Sequence, residues 1–368
     1  MTIARRPASP KLVSVCIPIS AGGVWGRLPA PNIGRPRMRL ATLLIVTLTL
    51  LACARPAIAA DHVRFGLDWT AEAEYGGYYQ ALATGIYARN GLDVTIEQGG
   101  PQVNHTQLLL AGRLDFNITS NSLLALNIVR QGIPFRTVAA MFQKDPSVLI
   151  AHAGQGNDGF AALKGKPIMI SADTRAGWWN FLKARFGYTD AQIRPYTFNL
   201  QPFMASKGAI QQGFLGSEPF SIQAATGERP VVLLVADAGY KGYASLIGTS
   251  DKMIAQHPDV VQRFIDASIE GWYSYLDGDP LPANAAIKKA NPEMTDALLA
   301  YGRASMKEHG ILESGDALKE GIGAMTDARW KAFYDEMAEV GLYSKGMDYT
   351  KAYTLQFVNK RVGMEAKK

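Results

Sequence analysis

The chain has 368 residues, with 38 Lys or Arg against 32 Asp or Glu and a formal net charge of +6. That excess sits in residues 1 to 60, which hold eight Lys or Arg and no Asp or Glu, so the chain from Asp61 onward is slightly acidic and offers no electrostatic footprint for nucleic acid. Both cysteines, Cys16 and Cys53, fall in the same stretch, which excludes disulfides, thiolate nucleophiles and cysteine metal sites from the remainder.

The first 60 residues read as leader. Met38-Arg39 precedes LATLLIVTLTLLACA, an apolar run of signal-peptide length that is short for a membrane span, and Ala57-Ile58-Ala59 supplies a small-x-small cleavage pattern. Residues 1 to 37 are basic, Pro-rich and without hydrophobic period. They read as an over-long translation start, with Met38 the better one. Leu50-Leu51-Ala52-Cys53 overlaps this signal and resembles a lipoprotein box, which would anchor the chain through an acylated Cys53. The Ala-Ile-Ala site abuts the first strand and favours a free, exported form; the anchored form stays open. The chain beyond the leader is long enough for two lobes, each with its own core.

From Asp61 to Ser122 strands and helices alternate. Val63 to Trp69 predicts a strand, AEAEYGGYYQALATGIYARNG a helix closed by Gly91, and LDVTIEQGG a strand. Val103 to Gly112 then predicts a helix, Asp115 to Ser120 a strand and SLLALNIVRQG a helix. Such alternation implies βαβ crossovers, hence a largely parallel sheet with helices on both faces. Ligands of such sheets sit beyond the carboxyl ends of the strands, marked here by Asp68 and Trp69, Gly99 and Gly100, and Ser120 and Asn121.

Thr137 to His152 predicts two more strands of the first lobe. GQGNDG, Gly154 to Gly159, matches G-x-G-x-x-G, with Asp173 after the next strand. Only FAALK comes before Gly165 and Pro167, too short a helix to hold a pyrophosphate, so the stretch reads as an inter-lobe linker. The second lobe repeats the pattern. Lys166 to Ser171 is a strand, Asp173 or Thr174 caps the helix AGWWNFLKARFG, and Ile193 to Phe198 is a strand. SKGAIQQG is a helix, FLGSEP a strand ending at Glu218, SIQAATG a helix and Pro230 to Asp237 a strand. The chain then returns through Tyr240 and Tyr243 to the first lobe at SLIGTSDKMIAQHP. The expected division is therefore 61–153 with 244–368 for the first lobe and 154–243 for the second, with two connecting segments as a hinge. Beyond Pro258, helical stripes such as Val261, Phe264, Ile265, Trp272 and Leu276 predict core packing.

Chemistry is sparse. The five His, at 62, 105, 152, 257 and 309, have no H-E-x-x-H spacing, and neither G-x-S-x-G nor a P-loop occurs. No nucleophile and base pair stands out, which argues for binding without turnover, with no metal and no cofactor. The residues gathered at the predicted strand ends are aromatic, amide and carboxylate in character: Asp68, Trp69, Tyr75, Asn104, Ser120, Asn121, Gln143, Asp173, Trp178, Glu218, Tyr240 and Tyr243. Aromatic faces stack on planar rings, and carboxylate or amide edges read ring N–H groups. Glu218 lies between Phe214-Leu215 and Pro219-Phe220 and needs a partner if buried; ligand contact and helix capping both remain open for it.

Taken in order, D-W at the first strand end, G-Y-Y-x-A-x-x-x-G-I-Y, G-L-D-V, L-x-x-G-x-x-D-F and S-E-P-F resemble the thiamine-pyrimidine-synthase-like group of periplasmic solute-binding proteins of ABC importers, over most of Val63 to Tyr243. The resemblance implies an α/β fold of the type II periplasmic binding protein class, two doubly wound lobes joined by a two-segment hinge. It implies a monomer in the periplasm that captures a small planar heterocycle, thiamine-pyrimidine-like or riboflavin-like, and hands it to an ABC-transporter membrane permease. Trp69 and Tyr75 would then line the base of the cleft, Ser120 and Asn121 donate hydrogen bonds, and Glu218 read the ring's polar edge. Two alternatives stay open. One is a pyrimidine synthase-type enzyme using His105 and a metal, although that branch carries a cysteine-rich motif absent from Asp61 onward. The other is a sulfonate- or nitrate-type binding protein, for which Lys144, Arg175 and Lys207 would supply positive charge.

Overall fold

The computed structural model describes residues 59–100 and 103–367; Met38, the apolar run and Cys53 lie outside the described residues. Ten strands appear in chain order: β1 Asp61–Gly66, β2 Leu92–Glu97, β3 Phe116–Asn121, β4 Phe135–Phe142, β5 Ser147–Ala151, β6 Ile168–Ile170, β7 Ile193–Pro195, β8 Ile210–Phe214, β9 Val231–Leu234 and β10 Ala244–Ser250. They form two five-stranded sheets, ordered β2-β1-β3-β10-β4 and β7-β6-β8-β5-β9. The two orders share one plan. In each, the first three strands run parallel, and one strand, β10 or β5, is antiparallel to its neighbours. That antiparallel strand is the one by which the chain enters from the other sheet.

The chain leaves the first sheet between Phe142 and Ser147, earlier than the Gly154–Gly159 stretch expected as linker. SVLIA is buried at all five positions, and such a run needs the interior of a sheet. β5 finds it between β8 and β9, where Leu149 pairs with Gln212 and Leu233. The Gly-rich stretch is then a turn after β5. SKGAIQQG, expected as a helix, instead supplies β8: Gln211 pairs with Ile150 of β5 and Met169 of β6, so pairing on both edges overrides the local helical pattern. As a result Glu218 opens the Glu218–Thr226 helix rather than ending a strand.

Two expected helices are interrupted. The 71–91 segment divides into a 3-10 turn Ala73–Tyr75 and helices Gly76–Ala83 and Ile86–Arg89, turning at Gly85 with φ 72°. The helix expected over AGWWNFLKARFG runs as Trp179–Phe186, separated at Gly177 from a short helix Ala172–Ala176 whose cap is Ser171, with Oγ accepting from the Thr174 amide. The Pro258–Asp277 helix is helical as expected and packs Phe264 against Phe65 and Phe116, with ring centroids 5.1 and 4.3 Å apart. Trp272 of the same helix lies against Gly77, where any side chain would collide with its ring.

The two crossing segments, 143–146 and 235–243, are braced by one side chain. From the Asp327–Glu339 helix, Arg329 donates Nη1 to Gln143 Oε1 at 3.0 Å, Nη2 to the Gln143 carbonyl, and Nε to the Lys241 carbonyl at 3.0 Å. Its guanidinium also lies 4.1 Å from the centre of the Tyr243 ring.

Candidate functional site

The first wall of the candidate cleft begins where β1 ends. Asp68 accepts from Tyr75 Oη at 2.7 Å and from Ser120 Oγ, so the loop after β1 is tied to the turn at 73–75 and to the end of β3. Burial nevertheless raises the Asp68 carboxyl above its ordinary range, against these two bonds. Gln98 fixes the next residues: its Oε1 accepts from the Ala71 amide at 2.6 Å while its Nε2 donates to the Ala290 carbonyl. The loop thereby carries Trp69, half-buried, and two carboxylates, Glu72 and Glu74.

Glu74 is 3% exposed and its Oε1 has no hydrogen-bond partner. It reaches across to the turn after β8, where any side chain at Gly216 would collide with Oε1. Burial, with the charge of Glu218 added, lifts the Glu74 carboxyl to about 7. Glu72 is raised further, by burial and then by the charges of Glu74, Glu218 and Asp68. The acidic groups of both walls thus bear on one another.

The second wall holds Glu218 differently. Its Oε2 accepts from the Phe214 amide at 2.8 Å and from Ser217 Oγ at 2.6 Å, and Oε1 accepts from Tyr196 Oη at 3.3 Å. These donors come from the end of β8, the helix start and the segment after β7, so the carboxylate is set by three pieces of the second sheet's edge. Beyond Tyr196, Phe198 has φ 61° and is 40% exposed. A left-handed conformation costs a non-glycine residue about 1–2 kcal/mol. It places the Phe198 ring against Trp69, with centroids 4.7 Å apart at 47°. The two walls meet at this contact, which leaves no room for a planar ring between them.

Of the residues expected at the site, the structure brings together Asp68, Trp69, Tyr75 and Ser120 on one wall with Glu218 on the other. Asn104 and Asn121 serve as helix caps, accepting from the Gln107 and Leu124 amides. Asp173 is exposed in the first turn of the Ala172–Ala176 helix. Gln143 is buried at the first crossing and turns to Arg329 and the Ala324 carbonyl. Tyr243 at the second crossing donates Oη to Asp316 Oδ2 at 2.5 Å. Tyr240 packs between Phe181 and Phe333, each 5.4 Å away, and Trp178 is 3% exposed in the core. Gln143, Tyr240 and Tyr243 therefore serve the hinge and the core, because the C-terminal helices cover them.

Sequence reasoning passed over Glu72, Glu74, Tyr196 and Phe198. Acidic residues in a first helical turn are unremarkable by themselves. The available signal was their setting, A-E-A-E-Y, two carboxylates between small apolar neighbours and a tyrosine. His105, expected as a metal ligand under the enzyme alternative, lies beneath Gly66 and Gly99 with Nδ1 unpartnered, and burial lowers its pKa. Among the described residues no group of three His, Cys, Asp or Glu side chains is placed to hold a metal ion.

Comparison with known proteins places this geometry. Riboflavin-binding protein RibY of Chloroflexus aurantiacus is 23% identical over 348 residues, 88% of this chain and 98% of that protein. The periplasmic aliphatic sulphonate binding protein SsuA of Escherichia coli superposes with a TM-score of 0.61 at 12% identity, over 80% of this chain and 92% of SsuA. The desulfurization enzyme DSZB superposes with a TM-score of 0.51 at 13% identity, over 83% of this chain and 99% of the enzyme, so the architecture also occurs in an enzyme. The described residues therefore have the periplasmic binding protein fold in the type II strand order. The model of the family described as NMT1/THI5 like matches residues 72–280, more than half of the chain and including Glu72, Glu74 and Glu218, and the chain belongs to that family.

Proposed function

We propose that this protein is the solute-binding component of an ABC importer, working outside the cytoplasmic membrane. It captures a small planar heterocycle between two sheet-centred lobes and hands it unaltered to a membrane permease. The observation that carries this reading is the meeting of Trp69 and Phe198 from opposite sheets, with Glu218, Asp68 and Glu72 around it. An aromatic face and a ring of acceptors suit a flat guest with N–H groups on its edge. The likeness to a riboflavin-binding protein and to a sulphonate binding protein supports solute capture, and the acidic walls favour the ring compound over the sulfonate. The crossings at 143–146 and 235–243 supply the hinge for closure, and residues 61–142 with 244–367 and residues 147–234 are the bodies that move.

An enzyme on the same architecture is the second reading, favoured by the likeness to DSZB and by the unpartnered His105. The geometry weighs against it. Ser120 donates straight to Asp68, so the hydroxyl has no imidazole base. Thermal melts of the exported chain with riboflavin, thiamine's pyrimidine, a purine and an alkanesulfonate test the proposal. A true guest at a hundredfold its Kd adds about 2.7 kcal/mol and raises the midpoint by about 5 °C. A panel in which no ring compound shifts the melt removes the proposal.

A further inference from the structure

The two crossings lie at one end of each sheet. In the first, β10 and β4 close the order β2-β1-β3-β10-β4, and in the second, β5 and β9 close the order β7-β6-β8-β5-β9. A hinge placed there lets the turn after β1 and the segments after β7 and β8 swing apart when the lobes open. These are the segments at which the lobes touch. Besides Trp69 against Phe198, Phe220 of the Glu218–Thr226 helix meets Tyr301 of the Asp296–Glu308 helix, with ring centroids 5.3 Å apart at 42°. Gly216, in the turn after β8, comes so near Gly302 of the same C-terminal helix that a Cβ on Gly216 would lie 3.2 Å from the Gly302 Cα. A Cβ on Gly302 would lie 3.1 Å from the Gly216 carbonyl oxygen. Only glycine lets two backbones approach this closely. The Asp296–Glu308 helix is itself fixed to the first lobe. Gly302 also lies against Ala73, and Arg303 donates to the carbonyls of Tyr275, Leu276 and Gly278.

Trp69 and Phe198 pack on each other where a ring guest would lie, so this closure is made by the chain's own side chains. We propose that the Asp296–Glu308 helix is a clasp. It receives the second lobe at Tyr301 and Gly302 in both the empty and the filled closed forms, and its release is the step that admits and frees the solute. The clasp goes beyond the solute-binding reading and rests on it only for what passes the gate. A contact common to both closed forms sets rates rather than affinity. Entry waits on the small unclasped fraction of the chain and exit on the same release, so weakening the clasp speeds both by one factor.

Small-angle X-ray scattering and stopped-flow fluorescence of the exported chain test the clasp. Without any guest, the expected radius of gyration is that of the clasped arrangement, and riboflavin or the thiamine pyrimidine at saturation leaves it unchanged. Gly302→Leu, whose side chain would meet the Gly216 carbonyl, should enlarge it. Tyr301→Ala should speed association and dissociation of riboflavin together, by about threefold to tenfold, with Kd nearly unchanged, while Tyr301→Phe keeps the wild-type rates. A guest-free radius larger than that of the clasped arrangement overturns the clasp, whether or not a guest binds. So does a Gly302→Leu chain that folds, by near-ultraviolet circular dichroism, yet keeps the wild-type radius. Tyr301→Ala decides the matter if Gly302→Leu does not fold, and unchanged rates in it also overturn the clasp. If no ring compound binds while the scattering comes out as expected, the solute-binding reading falls and the clasp stands.

Discussion

Glu218 on the second wall accepts from a backbone amide, a serine and a tyrosine, whereas Glu74 on the first wall has an oxygen with no donor and the Glu72 carboxyl is raised by burial and by the charges of Glu74, Glu218 and Asp68. That contrast separates the part of the site that is settled from the part that waits. The second wall is finished by its own fold and presents a fixed acceptor. The first wall is held in a state that a proton or a guest improves, so pH and ligand act there first.

The greatest change is expected at Glu74. Its carboxyl lies at about 7 in the folded protein against an ordinary 4.5, so between those values the folded chain holds a proton that the unfolded chain has released. Stability therefore falls as pH rises through this window, by about 3 kcal/mol in total. Glu74→Gln should gain about that much at pH 8 and little at pH 5, read by urea melts at both values; equal effects at the two would erase the contrast between the walls. Trp69→Ala comes next. Loss of a stacking face should weaken the best heterocycle by about 2 kcal/mol, or about thirtyfold, with the unliganded melt nearly unchanged because Trp69 is only half-buried. Glu218→Gln should cost about 1.4 kcal/mol of binding, tenfold, since an amide group must turn its N–H toward the donors of Phe214 or Ser217. Least affected is Phe198→Gly. It relieves the left-handed backbone and clears the ring from Trp69, so stopped-flow tryptophan fluorescence should show association a few times faster, with affinity changed by less than about 1 kcal/mol.

The alternation of β1, β2 and β3 with helices was legible because each strand is a short apolar run with a turn behind it. Asp68, Trp69, Tyr75 and Ser120 came out of that register, since strand ends locate a cleft. Pairing was beyond the reach of sequence. SVLIA and IQQGF needed each other to be strands of the second sheet, and neither carries the partner's position. Gln143 and Tyr243 looked like cleft residues for the same reason: their true partner, Arg329, lies 186 residues beyond Gln143. Glu72 and Glu74 were visible as letters, but only the turn at Gly216 makes Glu74 an interior carboxylate.

Capture without conversion is the core of the functional reading, and native mass spectrometry of the chain incubated with riboflavin and the thiamine pyrimidine puts it to the test. The expected spectrum shows a one-to-one complex with one of these ring compounds, from which the guest is recovered at its original mass. Absence of any complex, or release of a compound of different mass, would contradict it.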